Sequence, residues 1–261
     1  MSYYQPAEIA QIFADSSKAK ANMPFLKFFL FAVLGGMFIA LGGLLTVVVA
    51  GGMPATSAVN PGLVKFVAGA LFPVGLIMVC IAGADLFTSD CAGMTLSTLQ
   101  KKTSWQALLK VWILAYAFNF IGAQIIAYFL AYKAGLATAL PYQDYLHTLA
   151  YGKLKYGWDV VIIKAIGANA LVCLGTWMGY AGKDVMSKSL GIWVPVMIFV
   201  TLGLEHSIAN MFFIPSAIYT GADICWSRFI VDNLIPATIG NIIGGAVFVG
   251  MAYGYIFNGK K

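Results

Sequence analysis

Long apolar runs separated by short polar stretches fill nearly the whole chain. A transmembrane helix needs about 20 predominantly apolar residues, and six segments meet that length. They are 25–49, 62–82 with a weaker continuation at 91–99, 105–132, 160–180, 192–219 and 234–257. Two of the six are interrupted. The second meets Gly83-Ala-Asp-Leu-Phe-Thr-Ser-Asp90, and the fifth meets Gly203-Leu-Glu-His-Ser-Ile-Ala-Asn210 before resuming at 211–219. The pattern predicts an all-α integral membrane protein with six transmembrane helices, of which helices two and five are broken.

The two interruptions correspond. Gly83, Asp85 and Asp90 recur as Gly203, Glu205 and Asn210 at an offset of 120 residues, and Asn119-Phe-Ile-Gly122 is echoed by Asn241-Ile-Ile-Gly244. A three-helix unit is therefore used twice, as repeat 1 at about 25–132 and repeat 2 at about 160–257. Because three is odd, the second copy enters the membrane from the opposite side, which makes an inverted repeat. Such folds place broken helices near the midplane, where unwound backbone lines a cavity. The expected organisation is one membrane domain at 25–257, between an N-terminal segment at 1–24 and a short tail at 258–261.

Composition agrees. The chain of 261 residues is 61% hydrophobic and 10% charged, with a mean hydropathy of +0.84, whereas a soluble domain is roughly 25% charged. No room is left for a soluble domain. The net charge of +6 sits at helix ends, which fits the positive-inside rule and not a nucleic-acid surface. Lys18, Lys20, Lys101, Lys102, Lys183, Lys188, Lys260 and Lys261 fall on one side, against Lys65, Lys133, Lys153, Lys155 and Arg228 on the other. Both termini are expected in the cytoplasm and the protein in the inner (plasma) membrane. The first 21 residues have no apolar core of signal-peptide type, so no cleavage is expected. Cys80, Cys91, Cys173 and Cys225 lack metal-ligand spacing and are read as small packing residues. Trp105, Trp158, Trp193 and Trp226 sit where interfacial anchors do.

The chemistry concentrates at the breaks. A charged side chain at mid-bilayer depth costs at least ~2.5 kcal/mol, so Glu205 beside His206 marks a functional site. Asp85 and Glu205, each two residues after a glycine, are expected to clamp the loops that follow. Asp90 and Asn210 are expected to cap the resuming half-helices. His206 has no such structural task and is expected to face a pore, where an imidazole with a pKa near ~6.5 exchanges protons with a weak acid. Thr88 is its expected partner across the repeat. Phe72, Leu76, Leu86, Phe87 and Phe199 are candidates to narrow that pore above and below the histidine, or else ordinary core. Such constrictions impede bare ions, because nothing replaces the lost hydration. Lys153 either draws an anion into an outer vestibule or snorkels at the surface, as Lys155 and Lys164 do; periodicity leaves both readings open. No metal triad, nucleotide loop or second catalytic cluster accompanies Glu205 and His206, so neither an enzyme, a metal nor a cofactor is expected. A neutral-solute channel is a second class, against which stands the lack of an Asn-Pro-Ala signature in either break.

Three motifs carry a resemblance: Gly-Ala-Asp-Leu-Phe-Thr-Ser at 83–89, Ala-Asn-Ala-Leu-Val-Cys-Leu-Gly-Thr-Trp-Met at 168–178, and Gly-Leu-Glu-His-Ser-Ile-Ala-Asn-Met-Phe-Phe-Ile-Pro at 203–215. In these motifs and their order the chain resembles the formate/nitrite transporter family, from about Pro6 to the sixth helix. The resemblance implies an aquaporin-like protomer assembled as a homopentamer in the lipid bilayer, with one pore per protomer. It also implies passage of small monovalent weak-acid anions such as formate, nitrite or hydrosulfide, with protons as partners. His206 matches the family's central pore histidine, Thr88 the threonine of the loop breaking helix two, and Lys153, 53 positions before the histidine, the vestibule lysine. Phe72, Leu76, Leu86, Phe87 and Phe199 fall on constriction positions, and Asp85 and Glu205 on the acidic positions beside the breaks. Residues 92–103 look less typical of the family than their flanks. Among the three anions the expectation leans to formate, without a residue that selects it.

Overall fold

The structure, a computed structural model, describes residues 3–257; the predicted tail at 258–261 lies outside them. Ten helices organise it: α1 Pro6–Ala21, α2 Phe25–Gly51, α3 Pro61–Gly83, α4 Phe87–Leu99, α5 Trp105–Lys133, α6 Tyr142–Lys153, α7 Trp158–Ala181, α8 Val185–Thr201, α9 Ser207–Tyr219 and α10 Trp226–Phe257. Five of them, α2, α3, α5, α7 and α10, are long and apolar enough to cross a membrane, and α8 and α9 are shorter apolar helices. Among the described residues the only β pairing is a single bridge between Tyr3 and Gly182.

Helices α3 and α8 stop in the same way. Gly83 has φ +91° and Gly203 φ +66°, a left-handed conformation that costs glycine little. The next amides reach back five residues, Ala84 N–H to the Val79 carbonyl at 2.9 Å and Leu204 N–H to the Phe199 carbonyl at 3.1 Å. Each helix end is thereby widened and its carbonyls satisfied. Three residues later helix resumes, at Phe87 and at Ser207. Both restarts come four residues before the positions that hydropathy alone suggests, 91 and 211.

Close backbone approach fixes the pairs that support these breaks. A Cβ on Gly35 of α2 would collide with the Asp85 carbonyl, and one on Gly36 with the backbone of Asn119 in α5. Small residues at such contacts let helices associate where no hydrophobic drive exists between them. The N-terminal segment, assigned no structure from the sequence, forms α1. Its apolar face, Ile9, Ala10, Phe13 and Ala14, packs on Ala92, Leu96, Trp177 and Val249. Of the cysteines, all free, Cys91 and Cys173 are buried as packing residues should be. Cys80 instead faces a cavity, and Cys225 is exposed.

Candidate transport path

The loop before α9 is held by one asparagine. Asn241 of α10 donates through Nδ2 to the carbonyls of Glu205 at 2.9 Å and Ala165 at 2.8 Å, and its Oδ1 accepts from the Ser207 N–H at 2.8 Å. Asn119 of α5 does the same for the loop before α4. Its Nδ2 donates to the carbonyls of Asp85 at 2.9 Å and Ala32 at 2.6 Å, and its Oδ1 accepts from the Phe87 N–H at 2.9 Å. These asparagines satisfy backbone groups that lipid cannot. Sequence reasoning noted them as an echo and missed their task.

The acidic residues hold side chains, not the loop backbone as expected. Glu205, 1% exposed, accepts through Oε2 from Asn210 at 2.7 Å, Lys153 at 3.2 Å and Asn233 at 3.2 Å, and Lys164 lies 3.9 Å from Oε1. Asn210 is thus a partner of Glu205, not the helix cap expected of it. Asp85, fully buried, meets the Lys20 ammonium at 2.6 Å, and Asp90 meets the same ammonium at 2.7 Å. Asp90 does not cap α4 either: the cap position is Leu86, which makes no side-chain cap bond. Lys20 reaches this place from the end of α1. Burial pushes its ammonium down, but the carboxylates of Asp85 and Asp90 outweigh that and hold it well above the ordinary lysine value. Its sequence signal, one of several lysines before an apolar run, gave no hint of a buried partner.

His206 is itself the cap of α9. Its Nδ1 accepts from the Ala209 N–H at 3.1 Å, so in the neutral ring the proton sits on Nε2. That N–H points to Thr88 Oγ1, 3.0 Å away, and donates to it. The expected cross-repeat pair is therefore brought together. Thr88 is fixed in turn, because its carbonyl accepts from Asn169 Nδ2 at 3.1 Å. The His206 ring also stacks on Phe199, with centroids 5.7 Å apart.

Two cavities approach this pair. One of about 280 Å³ lies beside α6 and is lined by Lys65, Lys153, Phe72, Phe199, Phe213 and His206. The other, about 230 Å³, lies beside α1 and is lined by Lys20, Lys188, Ser89, Thr176, Tyr180 and Leu86. Between them Phe72, Leu76, Leu86, Phe199 and His206 close around a gap with no room for a water molecule. Ile39, Val172 and Val196 complete that ring and were not picked out from the sequence. Phe87 was, yet it turns away. As the first residue of α4 it packs edge-on against Trp112 and Tyr116 of α5, at 6.4 and 4.9 Å between centroids.

A search of family sequence profiles matches residues 7–255 to "Formate/nitrite transporter". The chain belongs to the formate/nitrite transporter family. It is 42% identical to a probable formate transporter of Methanothermobacter thermautotrophicus, over 98% of each chain. Among solved structures, one described as an ion channel of this family superposes with a TM-score of 0.88 at 25% identity, covering 95% of this chain and 98% of that one. A pentameric formate channel with formate bound superposes with a TM-score of 0.77 at 32% identity, over 89% of this chain and 97% of that one. Members of the family are membrane transporters and channels, not enzymes. Among the described residues no group of three His, Cys, Asp or Glu side chains is placed to hold a metal.

Proposed function

We propose that this formate/nitrite transporter family member conducts small monovalent weak-acid anions, formate foremost, with passage past His206 coupled to substrate protonation. Six spans carry it, helices two and five being broken: α3 with α4, and α8 with α9. The halves at about 25–132 and 160–257 form the inverted repeat. The protomers form a homopentamer with one pore each; the formate-bound relative is described as pentameric. Both termini lie in the cytoplasm, in the plasma membrane.

One observation carries the reading: two cavities on opposite sides of a dry apolar gap, with a hydrogen-bonded His206–Thr88 pair at its edge. Lys65 and Lys153 give the α6-side cavity an excess of positive charge over Glu205, which attracts an anion. Deeper in, falling dielectric disfavours the charged form and raises the substrate's own pKa. A neutral acid then crosses Phe72, Leu76, Leu86 and Phe199, where an ion would find no replacement for its hydration. His206 meets it by turning its Nε2–H from Thr88 to the substrate oxygen. Passage as an anion beside a charged imidazole is disfavoured, because protonating Nδ1 breaks the cap on α9.

Proteoliposome flux tests this. Formate uptake is expected to rise as pH falls, and nitrite and hydrosulfide to compete to different degrees. A steady formate current independent of pH would overturn neutral-acid passage. A His206→Phe variant is expected to lose the wild-type pH dependence; retaining it would remove the histidine from the mechanism.

A further inference from the structure

Beside α1 the structure holds a charge imbalance with no counterpart at the other break. Glu205 is one carboxylate, accepting from the Asn210 and Asn233 amides and facing two lysines. Asp85 stands at the equivalent position, but Asp90 replaces the amide donor, so two fully buried carboxyls share the single ammonium of Lys20. One Oδ1 of each carboxyl touches the same ammonium, at 2.6 Å and 2.7 Å, which sets the two acids side by side. Yet Asp85 Oδ2 and Asp90 Oδ2 have no donor, although both are out of contact with solvent.

Two carboxylates in one buried site do not both ionise beside a single cation. Buried carboxyl oxygens left without a donor carry the cost of desolvation, which a proton on one of two adjacent acids relieves. The neighbours do not supply it. Tyr180 of α7 gives its hydroxyl proton to Ser16 at 2.8 Å, Trp112 of α5 donates to the Asp90 backbone carbonyl and not to the carboxyl, and Lys110 of α5 shares only the outer pocket with Lys20. Lys188 of α8 and Cys80 of α3 face Lys20 across the cavity. Cys91 and Cys173 lie behind Asp90, and Cys173 directs its thiol to the Thr88 carbonyl.

We propose that Asp85 and Asp90 form a proton-binding site, distinct from His206, that holds one proton between the two carboxyls and is reached from the α1-side cavity. The proton comes from solvent in that cavity and forms an O–H bond on one aspartate, which donates to the other. With Lys20 charged, the triad is neutral when the proton is bound and carries one negative charge when it is lost. Given the anion-conducting reading above, on which this consequence rests, the bound proton favours an anion in the α1-side cavity and its loss repels one.

Infrared spectroscopy of the full chain in lipid tests the site without reference to transport. At neutral pH the wild type is expected to show the carbonyl stretch of a protonated carboxyl, shifted in D2O and shifted by ¹³C-carboxyl labelling of aspartate. Asp90→Asn is expected to lose the band. No such band in the wild type, a band insensitive to aspartate labelling, or one that survives Asp90→Asn would each overturn the proposal. The labelling arm needs no variant, so poor folding of Asp90→Asn leaves the test intact. Flux tests the consequence: lowering pH on the α1 side is expected to speed anion uptake from that side in the wild type and not in Asp90→Asn. An equal response in both would overturn the electrostatic role while leaving the proton site to the spectra. A chain that moves no anion would overturn the transport reading alone.

Discussion

The two interrupted stretches share a skeleton and differ in chemistry. At each, a left-handed glycine ends the helix, one asparagine from a later helix takes the same three backbone bonds, and a lysine from outside the apolar runs pairs with the acid two residues on. Against this common frame, Leu86 takes the position of His206, and Asp90 that of Asn210. The asparagine anchors bear on backbone groups only, so they hold the loop whatever side chains it carries. The same backbone bonds therefore stand beside different side chains, an imidazole at one interruption and an acid pair at the other.

Three sets of substitutions bear on that comparison. The largest effect is expected from Asn119→Leu and, equally, from Asn241→Leu. Each strands a buried N–H and a buried carbonyl, costing on the order of 2–6 kcal/mol, visible as a lower unfolding temperature of the purified protein. A large loss for one and none for the other would break the equivalence of the two anchors. Next comes Thr88→Val, which keeps the shape but leaves the His206 Nε2–H without an acceptor, at about 1–3 kcal/mol. Thr88→Ser is expected to stay close to wild type; if serine fails as valine does, the methyl packing and not the bond to His206 is what matters. The smallest concerns α1. Lys102 meets the exposed Asp15 at 2.6 Å, and such surface pairs contribute under about 1 kcal/mol. Lys102→Ala is therefore expected to leave the unfolding temperature nearly unchanged, whereas Lys20→Met, which strips the ammonium shared by two buried acids, is expected to lower it clearly. Equal effects would mean that α1 is held by its rim and not by the triad.

Much of this was legible in order. Gly83 and Gly203 announced the breaks, because only glycine sits easily at positive φ where an apolar helix must stop. Thr88 and His206, expected as partners from the two corresponding interruptions, are hydrogen-bonded. Phe87 lies away from the gap, its ring against Trp112 and Tyr116; hydrophobicity does not say which way a helix's first residue points. Hydropathy rises only at 91 and 211, four residues after the helices resume, which is why it points to Asp90 and Asn210 as caps where the structure has Leu86 and His206. Lys20 was invisible, being one lysine among several that follow the positive-inside rule.

The sequence by itself determined an all-helical membrane chain, where its apolar runs are interrupted, and which family it belongs to, because lipid forces every backbone group to be satisfied within the protein and so leaves a readable pattern. Only the tertiary structure decided which donors serve which acceptors. Lys20 lies 65 positions before Asp85, and Asn119 serves a loop more than 30 residues upstream of it. Those pairings arise from how helices cross, and the bonds that orient His206, anchor the loops and crowd two acids onto one lysine exist only once they have crossed.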